Sequence, residues 1–364
     1  MKRILFLTNI PSPYRIRFFE ELAKNYDVTV LFHDDSKNHS GRVNSWFGNG
    51  NGSFHQVQLT KRVISRGEDS LCLDILNWLK KPFDHIVICG YASMTEMLAI
   101  AWLRMMKKPF FLEVDGGMIR PDSGMKYRLK RWLVSSAKGW ISSGKHTTQY
   151  LVHYGADESH TYEYPFSSLQ CADIMTEAPS AQEKAAWKEK LGIAEERYIL
   201  SIGQFIPRKG FDILMKAAAS LDKNIGIYIV GGEPTEEYLK LREDLELSNV
   251  HFVGFQSKSV LAEYYKGADL FVLPTREDIW GLVINEAMAY GLPVITTDRC
   301  VAGLELVENG VNGYIVPVED AQALSGAIRK AMAGDLPRMG EASLEKIRPY
   351  NIENMATVHG EIFQ

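Results

Sequence analysis

The chain has 364 residues, enough for two domains that each bury a core. Its formal net charge of −4 argues against a general nucleic-acid binder, and 46% hydrophobic residues is ordinary for a globular protein. The four cysteines, Cys72, Cys89, Cys171 and Cys300, are far apart and form no CxxC, which indicates neither a zinc site nor a disulfide framework and fits reduced thiols in a cytoplasmic protein.

The first apolar run, Ile4 to Leu7 in "MKRILFLTNIPSPYR", is too short for a signal-peptide core and is expected to be a strand. No stretch of 18 apolar residues exists, so no transmembrane helix is expected. Strand-like and helix-like segments then alternate. "YRIRFFEELAKNY" reads as a helix with Ile16, Phe19 and Leu22 near one face, and "VTVLF" as a strand. "LCLDILNWLK" reads as a helix, "HIVICG" as a strand, "SMTEMLAIAWLRMM" as a helix and "PFFLEV" as a strand. "SGMKYRLKRWLVSSA" is the next helix, "GWISS" a strand, and "HTTQYLVHYG" a helix that stops at Gly155. This alternation is the signature of βαβ units around a parallel sheet.

The rhythm breaks between Ser167 and Arg197. Ser180 and Glu183 form a capping box before an Ala-rich charged surface helix that ends at Gly192. A second series follows, from "YILSIG" and "FDILMKAAASL" through "IGIYIVGG", "YLKLREDLEL", "VHFVGF", "VLAEYYKGA" and "DLFVLPT" to "PVITT", "GYIVPV" and a helix from Glu319 to Met332. "NIENMATVHGEIFQ" is a last helix. The fold class is therefore α/β. The expected domains are 1–168 and 169–345, with 169–197 as linker and surface helix and 346–364 as a closing helix. Ligands of open α/β sheets bind beyond the carboxyl ends of the strands, so the strand-end loops are where chemistry is expected.

Two of those loops suit an anion. In "GQFIPRKGFD", Arg208 and Lys209 sit beside Gly210 ahead of a helix, where free backbone N–H groups and the helix dipole already favour negative charge. A diphosphate site and a solvated cationic pair fit equally well. In "PTREDIWGLV", Gly281 opens a helix, so the amides of Gly281, Leu282 and Val283 are available to phosphate oxygens. That helix is apolar nearly all round, yet carries Glu286. A buried carboxylate is costly unless something satisfies it. Glu286 either accepts hydrogen bonds from a ribose diol or pairs with a structural Arg or amide. Asp278 either faces a ligand or is a loop acid in water. No GxGxxG follows a strand, which disfavours a dehydrogenase, and no HExxH or DxD-like pair suggests a metal. Asp34 and Asp35, in "HDDSKNHS", read as part of a polar loop whose histidines are exposed and are not ligands.

"PTREDIWGLVINEAMAYGLPVITT" resembles the signature of family 4 glycosyltransferases, which have the two-domain GT-B fold: E-x7-E followed by A-M-A-x-G-x-P-V-I. "ILSIGQFIPRKGFDILMKA", "NVHFVGF", "YYKGADLFVLPT" and "VENGVNGYIVP" are similar to further landmarks of that family. "PSPYRIRFFEELA" and "EVDGG" resemble its members that build surface polysaccharides. The resemblance implies two Rossmann-like domains facing across a cleft, the first for the acceptor and the second for the nucleotide-sugar, with the last helix packing back on the first. It implies retaining transfer without a metal or cofactor from a UDP- or GDP-linked sugar to a glycan or lipid-linked acceptor. Glu286 matches the ribose-binding acid, Lys209 the diphosphate-binding lysine and Asp278 the first acid, which contacts donor-sugar hydroxyls.

The chain departs from the pattern in three places. The first acid is usually Glu and here is Asp278, with Glu277 beside it. An Arg common five residues before the lysine is Gln204, so Arg208 is expected to supply that charge. Asp115, Gly116 and Gly117 stand where many relatives carry a strand-end His, by the donor sugar. The basic stretch 125–138 places Met125, Leu129, Trp132 and Leu133 on one face among Lys126, Arg128, Lys130, Arg131 and Lys138. It reads either as a sheet-covering helix with a solvated face or as a surface for anionic lipid. The resemblance favours peripheral contact at the inner face of the cell membrane. The rival readings are a nucleotide-sugar epimerase of the same architecture and a non-catalytic two-domain sugar-binding protein.

Overall fold

The computed structural model describes residues 1–34, 50–66 and 69–364. Two compact units divide the chain, one made of 1–168 with 350–364 and the other of 169–349.

The first unit starts with β1 (Arg3–Thr8), α1 (Pro13–Leu22), β2 (Asp27–Phe32) and β3 (His55–Gln58). An antiparallel pair, β4 (Arg62–Arg66) and β5 (Asp69–Cys72), leads to α2 (Ile75–Leu79). β6 (His85–Cys89), α3 (Met94–Met105), β7 (Phe111–Val114), α4 (Gly124–Val134), β8 (Gly139–Ser142), α5 (Lys145–His153) and β9 (Thr161–Glu163) follow. The sheet is seven-stranded, in the order β3-β2-β1-β6-β7-β8-β9. Its pairs are all parallel. β1 and β2 are buried at nearly every position because helices cover both faces, and they read as continuous apolar runs for that reason.

Two expectations change here. "LCLDILNWLK" is not one helix. The Cys72 amide donates to Thr95 Oγ1 at 2.9 Å, and Thr95 in turn donates to the Ser70 carbonyl at 2.6 Å. Those backbone groups are satisfied from α3, so the segment stays extended and α2 begins only at Ile75. His33 is not exposed: it is 3% accessible, with Nε2 at 3.3 Å from both Glu96 Oε1 and Ser93 Oγ. Its backbone amide donates to the Thr8 carbonyl at 3.2 Å, which carries it on beside β1 and under the start of α3. Asp35, His39 and the remainder of that loop to 49 lie outside the described residues.

The second unit opens with α6 (Ala181–Leu191), where Ser180 and Glu183 make the capping box and Gly192 the left-handed C-cap. Although mostly exposed, α6 also buries Lys188, whose ammonium holds Asp269 at 2.9 Å. Then come β10 (Arg197–Ile202), α7 (Phe211–Ala218), β11 (Ile225–Val230), α8 (Glu236–Asp244), β12 (Val250–Val253), α9 (Lys258–Gly267), β13 (Leu270–Leu273) and α10 (Leu282–Ala289). β14 (Val294–Thr297), α11 (Val301–Leu306), β15 (Gly313–Val316), α12 (Ala321–Met332) and α13 (Leu336–Ile347) complete it. This sheet has six parallel strands in the order β12-β11-β10-β13-β14-β15. The chain then returns to the first unit as α14 (Ile352–Ile362), which packs on α1.

Candidate functional site

In the second sheet the strand order reverses between β10 and β13, which are paired neighbours. Ligands of doubly wound sheets bind outside the carboxyl ends of the strands at such a reversal. The loops that leave these two strands are 203–210 and 274–281, the two that carry the predicted anion site. They are stitched together. Gly210 has φ 69°, and a Cβ there would run into the Pro274 carbonyl, so only glycine lets the loops approach this closely. Thr275 Oγ1 and the Arg276 amide both donate to the Arg208 carbonyl, at 2.9 and 2.8 Å. The Arg276 guanidinium grips Asp212 at 2.8 Å through both terminal nitrogens and also pairs with Glu319.

This stitching brings the predicted catalytic residues into contact. Lys209 Nζ donates to Asp278 Oδ2 at 2.6 Å, and Arg208 Nη1 lies 3.3 Å from Asp278 Oδ1. Arg208 also donates to the Glu277 carbonyl at 2.9 Å. The Asp278 backbone is fixed on its far side, its amide to the Arg299 carbonyl at 2.9 Å and its carbonyl to the Val301 amide at 3.2 Å. Two cations and an acid are therefore held at one sheet end by backbone bonds that do not depend on any ligand.

α10 begins at the same place. Gly281 caps it with φ 104°, and a Cβ there would stand 2.8 Å from the buried Cys300 Sγ. Burial and Asp278 push the Cys300 thiol up to about 12, so it stays an inert filler under the loop. The amides of Gly281, Leu282 and Val283 belong to the first helical turn, where no intrahelical carbonyl can reach them. Trp280 Nε1 donates to Asn285 Oδ1 at 2.8 Å inside the unit, which satisfies one polar group of this apolar helix. The helix ends in a Schellman pair, Leu292 amide to Ala287 carbonyl at 3.1 Å and Gly291 amide to Met288 carbonyl at 3.0 Å.

Glu286, one turn into α10, is half-buried and accepts a hydrogen bond from Tyr265 Oη at 2.9 Å. Burial raises its pKa above the ordinary carboxylate value, against the Tyr265 bond and the nearby Lys258 ammonium. The Tyr265 ring lies stacked on Tyr290, centroids 5.1 Å apart. No structural arginine pairs with Glu286 among the described contacts; its partner is a tyrosine hydroxyl.

Of the other expected residues, one shares a loop with the site and three lie in the first unit. Gln204 is exposed on the 203–210 loop, its carbonyl accepting the Ile206 amide at 2.8 Å. Asp115, Gly116 and Gly117 follow β7 in the first unit. Asp115 is far from alone. Arg15 donates to Glu113 Oε1 and to Asp115 Oδ2, each at 2.6 Å, and Tyr164 Oη donates to Asp115 Oδ1 at 2.8 Å. His359 of α14 places Nε2 3.4 Å from Glu113 Oε2. Burial opposes every charge in this group. For Glu113, Arg15 and His359 outweigh it, and the pKa falls to about 2. For Asp115, burial wins and the pKa is raised. "PSPYRIRFFEELA" and "EVDGG" are thus two halves of one buried ion group. Sequence reasoning found both segments but not the pairing, nor Tyr265, Arg276 and Trp280, because spacing along a chain does not show which polar side chains meet across a sheet.

Two doubly wound sheets, with an anion-suited end on the second, define the GT-B glycosyltransferase fold. Residues 183–348 match the model of the family Glycosyl transferases group 1. Over 231 residues the chain is 29% identical to a D-inositol 3-phosphate glycosyltransferase of Geodermatophilus obscurus, covering 59% of this chain and 50% of that protein. It is 27% identical over 221 residues to the lipopolysaccharide glucosyltransferase WaaG of Escherichia coli, covering 59% and 58%. The chain thus spans only about half the length of these curated relatives. The crystal structure of Anabaena Alr3699/HepE in complex with UDP superposes with a TM-score of 0.75 at 17% identity, covering 99% of each chain.

Proposed function

We propose that the protein is a retaining glycosyltransferase that moves a sugar from a nucleotide-diphosphate sugar to a glycan or lipid-linked acceptor, without a metal ion. The observation that carries this reading is the meeting of Lys209, Arg208 and Asp278 at the sheet end where α10 begins. The diphosphate lies against Lys209, Arg208 and the amides of Gly281, Leu282 and Val283. The ribose diol lies on Glu286, and Asp278 faces the donor-sugar hydroxyls, with Gln204 on the same loop as Lys209. In the transfer step the bond from the anomeric carbon to the phosphate oxygen breaks, and its electron pair stays with the nucleoside diphosphate. The acceptor hydroxyl oxygen bonds to the anomeric carbon on the same face, and its proton passes to the departing phosphate oxygen. The protein's task is to stabilise charge growing on the diphosphate, for which fixed cations and helix amides are suited.

UDP as the sugar's carrier is supported by the UDP complex of the structurally similar HepE protein. A role in surface polysaccharide assembly is supported by the similarity to a lipopolysaccharide glucosyltransferase. We also propose that α4 touches the inner face of the membrane, since Met125, Leu129 and Trp132 are 86%, 48% and 39% exposed beside Lys126, Arg128 and Arg131. Leu133 leaves that face, because it is buried in the core of the first unit. Among the described residues no helix is long and apolar enough to cross a membrane.

Thermal unfolding with a panel of UDP- and GDP-linked sugars tests the donor assignment. A bound donor raises the melting temperature with concentration. The expected result is a rise with one donor that disappears in Glu286→Ala; a flat response to the whole panel would overturn the proposal.

A further inference from the structure

We infer that Tyr265 is the positioning residue for ribose recognition: its hydroxyl fixes the Glu286 carboxylate in the orientation and ionised state that a ribose diol needs. This rests on the assignment of Glu286 to the ribose. The geometry is specific. Tyr265 is 2% exposed, at the end of α9, and its hydroxyl reaches across to Glu286 Oε2 at 2.9 Å. The stack on Tyr290, with ring planes 9° apart, sets the ring and hence the direction of the O–H bond. A carboxylate on a helix otherwise turns about its side-chain torsions, and each turn left free must be frozen when a ligand binds. With one lone pair of Oε2 engaged by Tyr265, the carboxylate is already oriented, and its remaining lone pairs are available to a diol.

The bond also acts on charge. Glu286 faces Tyr265 and Lys258 from α9, Tyr290 at the C-cap of its own helix, and Asp173 from the loop ahead of α6. Lys258 is itself paired with Asp173 at 2.9 Å, which spends part of its positive field there. Burial favours the neutral acid, and the Tyr265 hydroxyl is the foremost group opposing it. A protonated Glu286 has fewer acceptor sites to offer two hydroxyls, so nucleotide affinity falls as pH drops through its pKa. Removing the Tyr265 hydroxyl moves that fall to higher pH.

The test measures UDP and GDP binding by calorimetry from pH 5 to 8, each beside its 2′-deoxy analogue, for the unaltered protein, Tyr265→Phe and Glu286→Gln. Phenylalanine keeps the ring and its stack, and thermal unfolding of the ligand-free variants checks that the fold is retained. The unaltered protein should prefer the ribonucleotide over the deoxy form by roughly tenfold or more, the scale of a hydrogen bond to a charged group. Tyr265→Phe should cut that preference at least about threefold and shift the acid limb upward, while Glu286→Gln should abolish the preference. If Glu286→Gln abolishes it and Tyr265→Phe leaves both preference and acid limb unchanged, the inference falls and the ribose assignment stands. If Glu286→Gln keeps the preference, or neither nucleotide binds, the ribose assignment itself is wrong.

Discussion

Lys209 and Asp278 hold each other at 2.6 Å, so a lysine proposed to bind diphosphate has a resident carboxylate on one of its three donors. Mutating either residue therefore does two things. Lys209→Ala removes a charge stabiliser and leaves Asp278 with Arg208, whose contact is longer at 3.3 Å. The expected outcome in a transfer assay is a loss of at least ~10²-fold in kcat/KM, the scale of losing one preorganised group that stabilises transition-state charge. Retention of full activity would show that the diphosphate is held elsewhere. Asp278 has one methylene less than the usual Glu, and its backbone is pinned to Arg299 and Val301 on the far side. The shorter acid sits on a rigid support, so its reach is set by the loop.

At the scale of elements, the central strands and most helices of both units were legible in the chain, because buried parallel strands are apolar runs and their covering helices carry an apolar face; β3 and β9, at the sheet edges and largely exposed, and the β4–β5 pair have no such run and were missed. The start of α10 at Gly281 was legible, since it is written in local backbone chemistry. α13 was not foreseen. Gly340 there faces the Gly291 carbonyl so closely that a Cβ could not fit, and that approach is a tertiary fact with no local sign. The split of "LCLDILNWLK" was likewise decided from outside, by Thr95. The Glu286 question was visible in the sequence, but its partner was 21 residues away on another helix. For α4 the surface reading is testable. Trp132, which stacks under the Arg104 guanidinium at 5.0 Å, and Leu129 form the exposed stripe with Met125. Changing Met125, Leu129 and Trp132 to Ser should abolish flotation with anionic liposomes and leave melting temperature nearly unchanged. Absence of flotation by the unaltered protein would end the membrane proposal.

At the scale of the whole molecule, the buried ion group around Arg15 sets a pH dependence. Glu113 titrates at about 2 in the folded protein against an ordinary value of 4.5. A carboxylate with a depressed folded pKa contributes stability that is present above its unfolded value and is lost as pH falls through the folded one. The Glu113 contribution should therefore be complete above about pH 4.5 and drain away toward pH 2. Glu113→Gln breaks a buried pair and should cost on the order of 3–5 kcal/mol at neutral pH. In urea titrations the variant's stability should also depend less on pH between those limits. An unchanged slope would mean that Arg15 draws its compensation from Asp115 alone.

Residues 350–364 belong to the first unit, although the whole of 169–349 precedes them in the chain. The Lys2 ammonium bonds the Phe363 carbonyl at 2.9 Å across a separation of 361 residues, and Tyr26 Oη bonds the Gly360 carbonyl at 2.9 Å. During synthesis β1 and α1 leave the ribosome before the second unit, and the helix that packs on α1 leaves after that unit is entire. His359, which completes the Glu113 group, arrives with it. At the usual rate of about 5–20 residues per second, Phe6 and Phe18 wait some tens of seconds for Phe363 and His359, the rings that pack on them. The first unit is thus complete only when residues 350–364 arrive, whereas the second is one contiguous stretch of chain.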